Sequence, residues 1–500
     1  MSTIRVRFAP SPTGEVHVGN ARTALFNWLF ARHYQGKFVL RIEDTDEERS
    51  EKRYEQRLIE ALQWFGVEWD EGPDRGGPFA PYRQSERKEL YARYARQLLE
   101  SGQAYHCFCT PEELEAARQQ ALTAGRQPQY SGKCRKLSAE ESARRLGSGE
   151  RAALRLKVME SAFAWNDLVH GHTRFPGDVI GDPILVRSDG NPAYNYAVVI
   201  DDHLMQISHV IRGDDHISNT PRQLAVYRAL KWEPPAFGHL STILGPDRSR
   251  LSKRHGATSL ETFRETGVLP EALRNYLALL GWSPGDGKTE ILSDDELCNQ
   301  FALDHITRAP AVFDPEKLNW LNRHYLKALP LSRLATMSVP FLAKAGCVTE
   351  PADSDVLRWL ERVVAAVLKN LDTLSQLPEA ARLIFTFDLS HLKEKDETRD
   401  ALEGDSARQV LAAFIPRMLT IAELDCGKFR ETMKAVEIET GKKGRDLFHP
   451  VRVALTGAAS GPELEKLIPI FEEGACLSLP KPIKSCAARL REFKEVAGIG

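Results

Sequence analysis

Apolar and polar positions alternate from the start of the chain. Val6 and Phe8 alternate with Arg5 and Arg7, the pattern of a short strand. Pro10, Pro12 and Gly14 stop it, and an apolar period of about 3.6 residues then predicts a helix over 17–34. The continuous apolar run at 37–42 predicts a second, buried strand, ending in Glu43-Asp44-Thr45-Asp46. Amphipathic helices are predicted over 50–65 and 85–101. Between 102 and 189 the character changes to a long charged helix and strand-like runs such as 153–158. From Pro192 the apolar runs return. Those at 194–200 and 206–211 predict strands, the first ending at Asp201-Asp202-His203 and the second at Arg212-Gly213-Asp214-Asp215-His216. A helix is expected near Thr220-Pro221, with proline at a tolerated first-turn position, and a last strand over 239–244. Beyond Thr258 the period is helical almost throughout, at 261–266, 270–280, 294–301 and 315–328. From about 330 helix follows helix, at 331–345, 354–372, 379–387 and 406–419. A parallel α/β front part followed by an all-helical rear part fits this order.

Composition narrows the picture. The chain of 500 residues is long enough for roughly three or four domains. Its 42% apolar and 27% charged residues suit a globular protein with sizeable cores. A formal net charge of −2 selects no partner, because a nucleic-acid binder can carry a local basic face within a neutral total. The window 428–494 holds 13 Lys/Arg against nine Asp/Glu, a tilt compatible with a polyanion. With no basic-then-apolar leader and no long apolar run, a cytoplasmic protein off the membrane is expected. Eight cysteines are too sparse for a disulfide scaffold.

Four stretches carry candidate chemistry. A strand, a Gly/Pro-rich loop and a helix N-terminus make an anion site, because unpaired N–H groups and the helix dipole face the loop, and His17 sits in that first turn. An ordinary βα turn with a surface histidine gives the same pattern. Arg7 and Arg212 each stand at a strand end, where open parallel sheets bind ligands, and so does the Glu43 cluster. Guanidinium forks take carboxylates and a carboxylate takes an ammonium, so the set suits an acidic zwitterion; local salt bridges and helix capping are the plainer readings. Between Gly245 and Gly256, Arg248, Arg250, Lys253 and Arg254 fall within seven positions beside Ser249 and Ser252, as in a phosphate-binding loop or a solvated basic turn. Cys107, Cys109 and Cys134 fall within 28 residues. Two thiolates one residue apart can share a metal that a third closes off, with Tyr130 or His106 nearby; three buried reduced thiols are the alternative.

Taken together, Pro10-Ser11-Pro12-Thr13-Gly14-Glu15-Val16-His17-Val18-Gly19-Asn20 and Arg250-Leu251-Ser252-Lys253-Arg254 are far more specific than either alone. With Arg41-Ile42-Glu43-Asp44-Thr45-Asp46, Pro81-Tyr82-Arg83-Gln84-Ser85, Val210-Ile211-Arg212-Gly213 and Leu269-Pro270-Glu271-Ala272-Leu273-Arg274-Asn275-Tyr276, the chain resembles class I aminoacyl-tRNA synthetases, and among them the bacterial glutamyl-tRNA synthetases. The resemblance spans essentially the whole chain and is strongest over 5–46 and 192–280.

It implies a split Rossmann-like parallel sheet over 1–101 and 190–247, an inserted tRNA acceptor-binding domain over 102–189, a helical stem-contact domain over 248–328 and a helical anticodon-binding region over 329–500. It also implies a reaction: ATP and L-glutamate form glutamyl-adenylate, and the glutamyl group passes to the 3′ end of tRNA(Glu). His17, Asn20 and Lys253 would be catalytic. Pro10, Thr13, Gly14, Gly19, Arg250, Leu251, Ser252 and Arg254 would join them around ATP and its Mg2+. Arg7, Ser11, Glu43, Tyr194 and Arg212 would hold glutamate. Cys107, Cys109, Tyr130 and Cys134 would hold one Zn2+. Family members act without a membrane, and a monomer is expected. In the family an arginine in the anticodon region favours strict discrimination; Asn370 falls near that position, so charging of tRNA(Gln) stays open. Three positions depart from the family: Asp214 where it often has Glu, Arg250 where it often has Lys, and Lys136 where it often has His. Glutamyl transfer to a modified tRNA base by a paralogue and small-molecule adenylyl transfer are the rival activities, and a non-catalytic tRNA-binding relative is a third reading.

Overall fold

The computed structural model describes residues 3–45, 52–125, 129–392, 394 and 396–498. Asp46, the last member of the acidic cluster, lies outside them, and of Lys253 only the backbone is described. The chain forms two compact units, Met1–Arg264 with Pro270–Pro315, and Glu265–Leu269 with Glu316–Gly500. Among the described residues, no helix is long and apolar enough to cross a membrane.

In the first unit, β1 (Arg5–Phe8) is followed by α1 (Val18–His33), β2 (Lys37–Leu40), α2 (Lys52–Phe65) and α3 (Lys88–Glu100). β1 and β2 run parallel with Val6 opposite Phe38. Leu25, Phe26, Leu29 and Phe30 of α1 are almost wholly buried, worth ~1.5–3 kcal/mol each in transfer from water. Beyond α3 come β3 (Ala104–Cys107), α4 (Pro111–Thr123), α5 (Ala139–Gly147), β4 (Ala153–Leu156), β5 (Ala162–Asp167), β6 (Gly171–Pro176), α6 (Gly177–Ile180) and β7 (Ile184–Val186). β3, β4 and β7 form an antiparallel sheet, and β5 and β6 a separate hairpin. This differs in kind from the parallel pairing on either side of it.

The chain then returns through α7 (Tyr194–Leu204), β8 (His209–Gly213), α8 (Thr220–Ala229), β9 (Ala236–Leu240) and β10 (Ile243–Leu244). β8 and β9 are parallel, and β1 lies against β8: Arg5 N donates to Ser208 Oγ at 2.8 Å, and Ser208 N to Arg5 O at 2.9 Å. The lateral order β2-β1-β8-β9 therefore reverses between β1 and β8. Buried Asn27 of α1 fastens this junction by donating to Ile211 O at 3.0 Å.

The strand expected at 194–200 is a helix. The seven residues from Tyr196 through Asp202 follow one another without an exposed face: all seven are buried. A segment buried on every side has no period to separate helix from strand, and the β-branched Val198-Val199-Ile200 pulled the reading the wrong way. The strand expected at 206–211 starts late, because Gln206 turns at φ 56° after the helix. The one expected at 239–244 is broken at Ser241 and Thr242 into β9 and β10. His17, expected inside the first turn of a helix, is the extended residue just before it.

The second unit is helical. At its centre Arg489, 1% exposed, donates to the carbonyls of Leu455 (3.1 Å), Ile384 (2.9 Å) and Lys484 (3.0 Å) and stacks 3.8 Å over Phe471.

Candidate active site

Where the strand order reverses, a cavity of about 850 Å³ opens beyond the carboxyl ends of β1 and β8. Open parallel sheets bind ligands at such a point, because the loops leaving the two strands diverge. The cavity gathers residues far apart in sequence: Arg7, Pro10, Ser11 and Thr13 after β1, His17, Gly19 and Asn20 at the start of α1, and Glu43 after β2. Tyr194, Arg212, Arg250 and Leu251 complete the set. Gly14, Ser252 and Arg254 are not among the lining residues. Arg254 instead donates to Ser249 Oγ at 2.6 Å, and Ser252 N to His255 Nδ1 at 3.0 Å, so the basic loop is folded on itself around His255.

One end of the cavity is suited to phosphate. The first turn of α1 carries no acidic residue and no side chain caps it, so beyond Val18 the N–H groups of Gly19 and Asn20 are placed to meet an anion. A Cβ built on Gly19 meets nothing within 4 Å, so a flat group has room against the backbone there. Backbone bonds hold this end in place: Val18 N donates to Thr258 O at 2.8 Å and Leu260 N to Val16 O at 3.0 Å. Arg22, unremarked in the sequence, donates to Leu280 O at 2.9 Å and to Ser241 O. Burial pulls its pKa down to about 10, against the nearby Asp214 charge. Asp214 accepts from Thr242 Oγ1 at 2.7 Å and so ties the end of β8 to the break between β9 and β10.

The other end is a charged pocket. Arg41, wholly buried, donates to Asp202 Oδ1 at 2.7 Å and to Glu43 Oε1 at 3.2 Å. Arg7 Nε donates to the same Asp202 oxygen at 3.1 Å. Burial pushes the Glu43 carboxyl above the usual range, with Arg41 and Arg7 pulling against it. Asp202 is held below the usual range: burial opposes this, but Arg7 and Arg41 prevail. Arg212 donates through Nη2 to Thr220 Oγ1 and Gln223 Oε1, both at 2.9 Å, and through Nε to His239 Nε2 at 3.2 Å. Its buried Nη1 has no hydrogen-bond partner among the described residues. Tyr194 Oη lies 3.3 Å from His216 Nδ1, and burial with the Arg212 charge lowers the His216 pKa to about 4, so that ring is neutral at pH 7.

Sequence reasoning placed Arg7, Glu43 and Arg212 here but missed Arg22, Arg41, Asp202 and His239. The adjacent Asp201-Asp202 closing an apolar run was a usable signal, since buried carboxylates require partners. Asp201 has its own, in Arg87 (2.6 Å), Gln84 (2.9 Å) and Tyr91 (2.8 Å).

Away from the cavity, Cys107, Cys109 and Cys134 bring their sulfurs within 4.8 Å of one another. The Cys109 and Cys134 sulfurs are 3.7 Å apart, close to the ~3.8 Å that two ligands make on a tetrahedral ion at Zn–S of ~2.3 Å. Tyr130 Oη lies 3.3 Å from Cys107 Sγ and 3.9 Å from Cys109 Sγ. Burial raises the Cys107 thiol and the Tyr130 hydrogen bond lowers it, the net direction being down, whereas burial and the neighbouring Cys107 charge push the Cys109 thiol up to about 12. The donor set fits a thiophilic cation.

Two family models match the chain: tRNA synthetases class I (E and Q), catalytic domain, over residues 3–320, and an anticodon binding domain over 333–478. A glutamate–tRNA ligase of Caldicellulosiruptor saccharolyticus is 47% identical over 93% of this chain and 96% of its own length. One from Heliobacterium modesticaldum is 47% identical over 100% and 98%. A crystal structure of a glutamate tRNA ligase from Elizabethkingia meningosepticum, in complex with its amino acid, matches at a TM-score of 0.85 and 32% identity, over 99% of each chain.

Proposed function

The chain belongs to the class I aminoacyl-tRNA synthetases of the glutamate–tRNA ligase family, and from that premise we propose how its cavity performs the reaction. The protein joins L-glutamate to tRNA at the expense of ATP. The observation that carries the assignment of the pocket is Arg212 Nη1, a buried donor without a partner among the described residues, in a cavity that also holds the raised carboxyl of Glu43.

Glutamate lies with one carboxylate at Arg212 Nη1 and its ammonium at Glu43, while Arg7 and Ser11 turn the α-carboxylate towards the start of α1. Charge decides this orientation, because reversal would set a carboxylate against Glu43 and an ammonium against Arg212. ATP lies along the α1 N-terminus with adenosine over Gly19 and its phosphates near His17, Asn20, Thr13 and Pro10. The α-carboxylate oxygen attacks the α-phosphorus and pyrophosphate leaves. The reacting groups are both anionic, so the work is alignment and charge neutralisation. Lys253, with Arg250 and Ser252, acts on the charge that builds on the α-phosphorus and the leaving group. Movement of the basic loop onto ATP brings Ser252 and Lys253 in beside Arg250, which already lines the cavity. Mg2+ accompanies ATP and neutralises phosphate charge. The ribose hydroxyl of the tRNA end then displaces AMP.

Cys107, Cys109 and Cys134, with Tyr130 as fourth member, hold Zn2+ as a structural ion in the inserted region. The helical unit receives the anticodon end of tRNA. A paralogue acting on a modified base is not favoured, since its kind lacks the region matched at 333–478.

The test is ATP-dependent attachment of labelled glutamate to purified tRNA(Glu) and tRNA(Gln), with and without enzyme. Charging of tRNA(Glu) is expected. Glutamyl-adenylate made without any transfer to either tRNA would contradict the reading.

A further inference from the structure

A guanidinium has five N–H donors, and three of those on Arg212 are spent on His239, Thr220 and Gln223, leaving Nη1. All three acceptors are neutral. Gln223 is turned the right way because its Nε2 donates to Asn195 Oδ1 at 3.0 Å, which aims Oε1 at Arg212. His239 can accept from Arg212 Nε–H only if Nε2 carries no proton. Thr220 Oγ1, which accepts from Arg212 Nη2, stands 3.1 Å from the same Nε2.

The tautomer is imposed from behind. His239, wholly buried, has Nδ1 2.5 Å from Asp167 Oδ2. The other oxygen of Asp167 accepts the backbone N–H groups of Val169 (3.0 Å), His170 (3.0 Å) and His239 (3.2 Å). Asp167 stands at the end of β5, so the hairpin in the inserted stretch reaches the sheet edge at β9. Burial keeps the His239 ring neutral even beside this carboxylate, while Asp167 stays ionised.

We propose that Asp167 and His239 are positioning residues of the amino-acid pocket: Asp167 holds the proton on His239 Nδ1, so that Nε2 orients Arg212 without neutralising it. A carboxylate in direct contact with Arg212 would compete with the substrate; a neutral imidazole leaves Nη1 and the positive charge to it. The pair thus favours a side chain ending in carboxylate over one ending in amide. This rests on the reading of Arg212 as the carboxylate clamp.

Asp167→Asn tests it, because asparagine can keep the three backbone bonds through Oδ1 while its amide N–H, presented to His239 Nδ1, drives the ring proton to Nε2 and against Arg212 Nε–H. The KM for glutamate should rise about tenfold or more, with the KM for ATP within about twofold. His239→Met should do the same. In the double variant Asp167→Asn with His239→Gln, the glutamine oxygen can accept from Arg212 with no tautomer to set, and the KM for glutamate should fall back towards wild type. A purely structural role predicts that the double variant is worse than either single change. Arg212→Ala, measured alongside, separates the two layers. If it raises the glutamate KM selectively while Asp167→Asn and His239→Met do not, the positioning role is wrong and the clamp stands. If Arg212→Ala leaves the glutamate KM unchanged, the clamp falls and the positioning role with it.

Discussion

Arg41 Nη2 donates to Glu43 Oε1 across 3.2 Å, and both side chains are buried. Burial outweighs the pull of Arg41 and Arg7, so Glu43 takes up a proton at a higher pH than an exposed glutamate. The carboxylate form is the one that holds an ammonium. As pH falls through this raised pKa Glu43 loses its negative charge, and the KM for glutamate should rise while that for ATP stays level. Glu43→Gln should abolish this acid-side dependence and raise the glutamate KM at neutral pH. An unchanged pH profile in that variant would contradict the assignment.

Lys253→Ala should lower the single-turnover rate of glutamyl-adenylate formation by ~10²-fold or more, with tRNA affinity nearly unchanged, because the charge acts on the transition state. Rapid-quench measurement of adenylate decides it, and a wild-type rate would remove Lys253 from the mechanism.

Protein purified without chelator or added metal should contain about one equivalent of zinc, and Cys107→Ser should lose it. Elemental analysis gives the answer. Folded, metal-free wild-type protein would leave the three sulfurs as ordinary buried thiols.

In the helical unit, burial lowers the Arg489 pKa to about 10, yet its carbonyl partners keep the side chain fixed. Arg489→Ala strands those carbonyls and opens a cavity, and should cost about 3 kcal/mol of that unit's stability. Denaturant unfolding followed by Trp359, whose Nε1 bonds to Ile470 O, measures it.

The strand, loop and helix at the head of the chain were legible because their signals are local: alternation, two prolines and an apolar period within 34 residues. The pocket was half legible. Arg7, Glu43 and Arg212 announce themselves at strand ends, but Asp202 matters through Arg7, 195 positions away, and Asp167 through His239, 72 positions away. No window along the chain contains such pairs. Helix α7 was misread because complete burial erases the periodicity on which the distinction depends. A histidine inside the apolar run Phe237-Gly238-His239-Leu240 was the trace of the missing pair, since a buried ring nitrogen needs a partner.

The central claim is that the reversal between β1 and β8 is the glutamate pocket and that Arg212 reads the carboxylate. Steady-state kinetics of Arg212→Ala test it most directly. The KM for glutamate should rise by about 10²-fold, with the KM for ATP within about twofold and the preference for glutamate over glutamine reduced. Equal effects on glutamate and ATP, or an undiminished preference for glutamate, would contradict it.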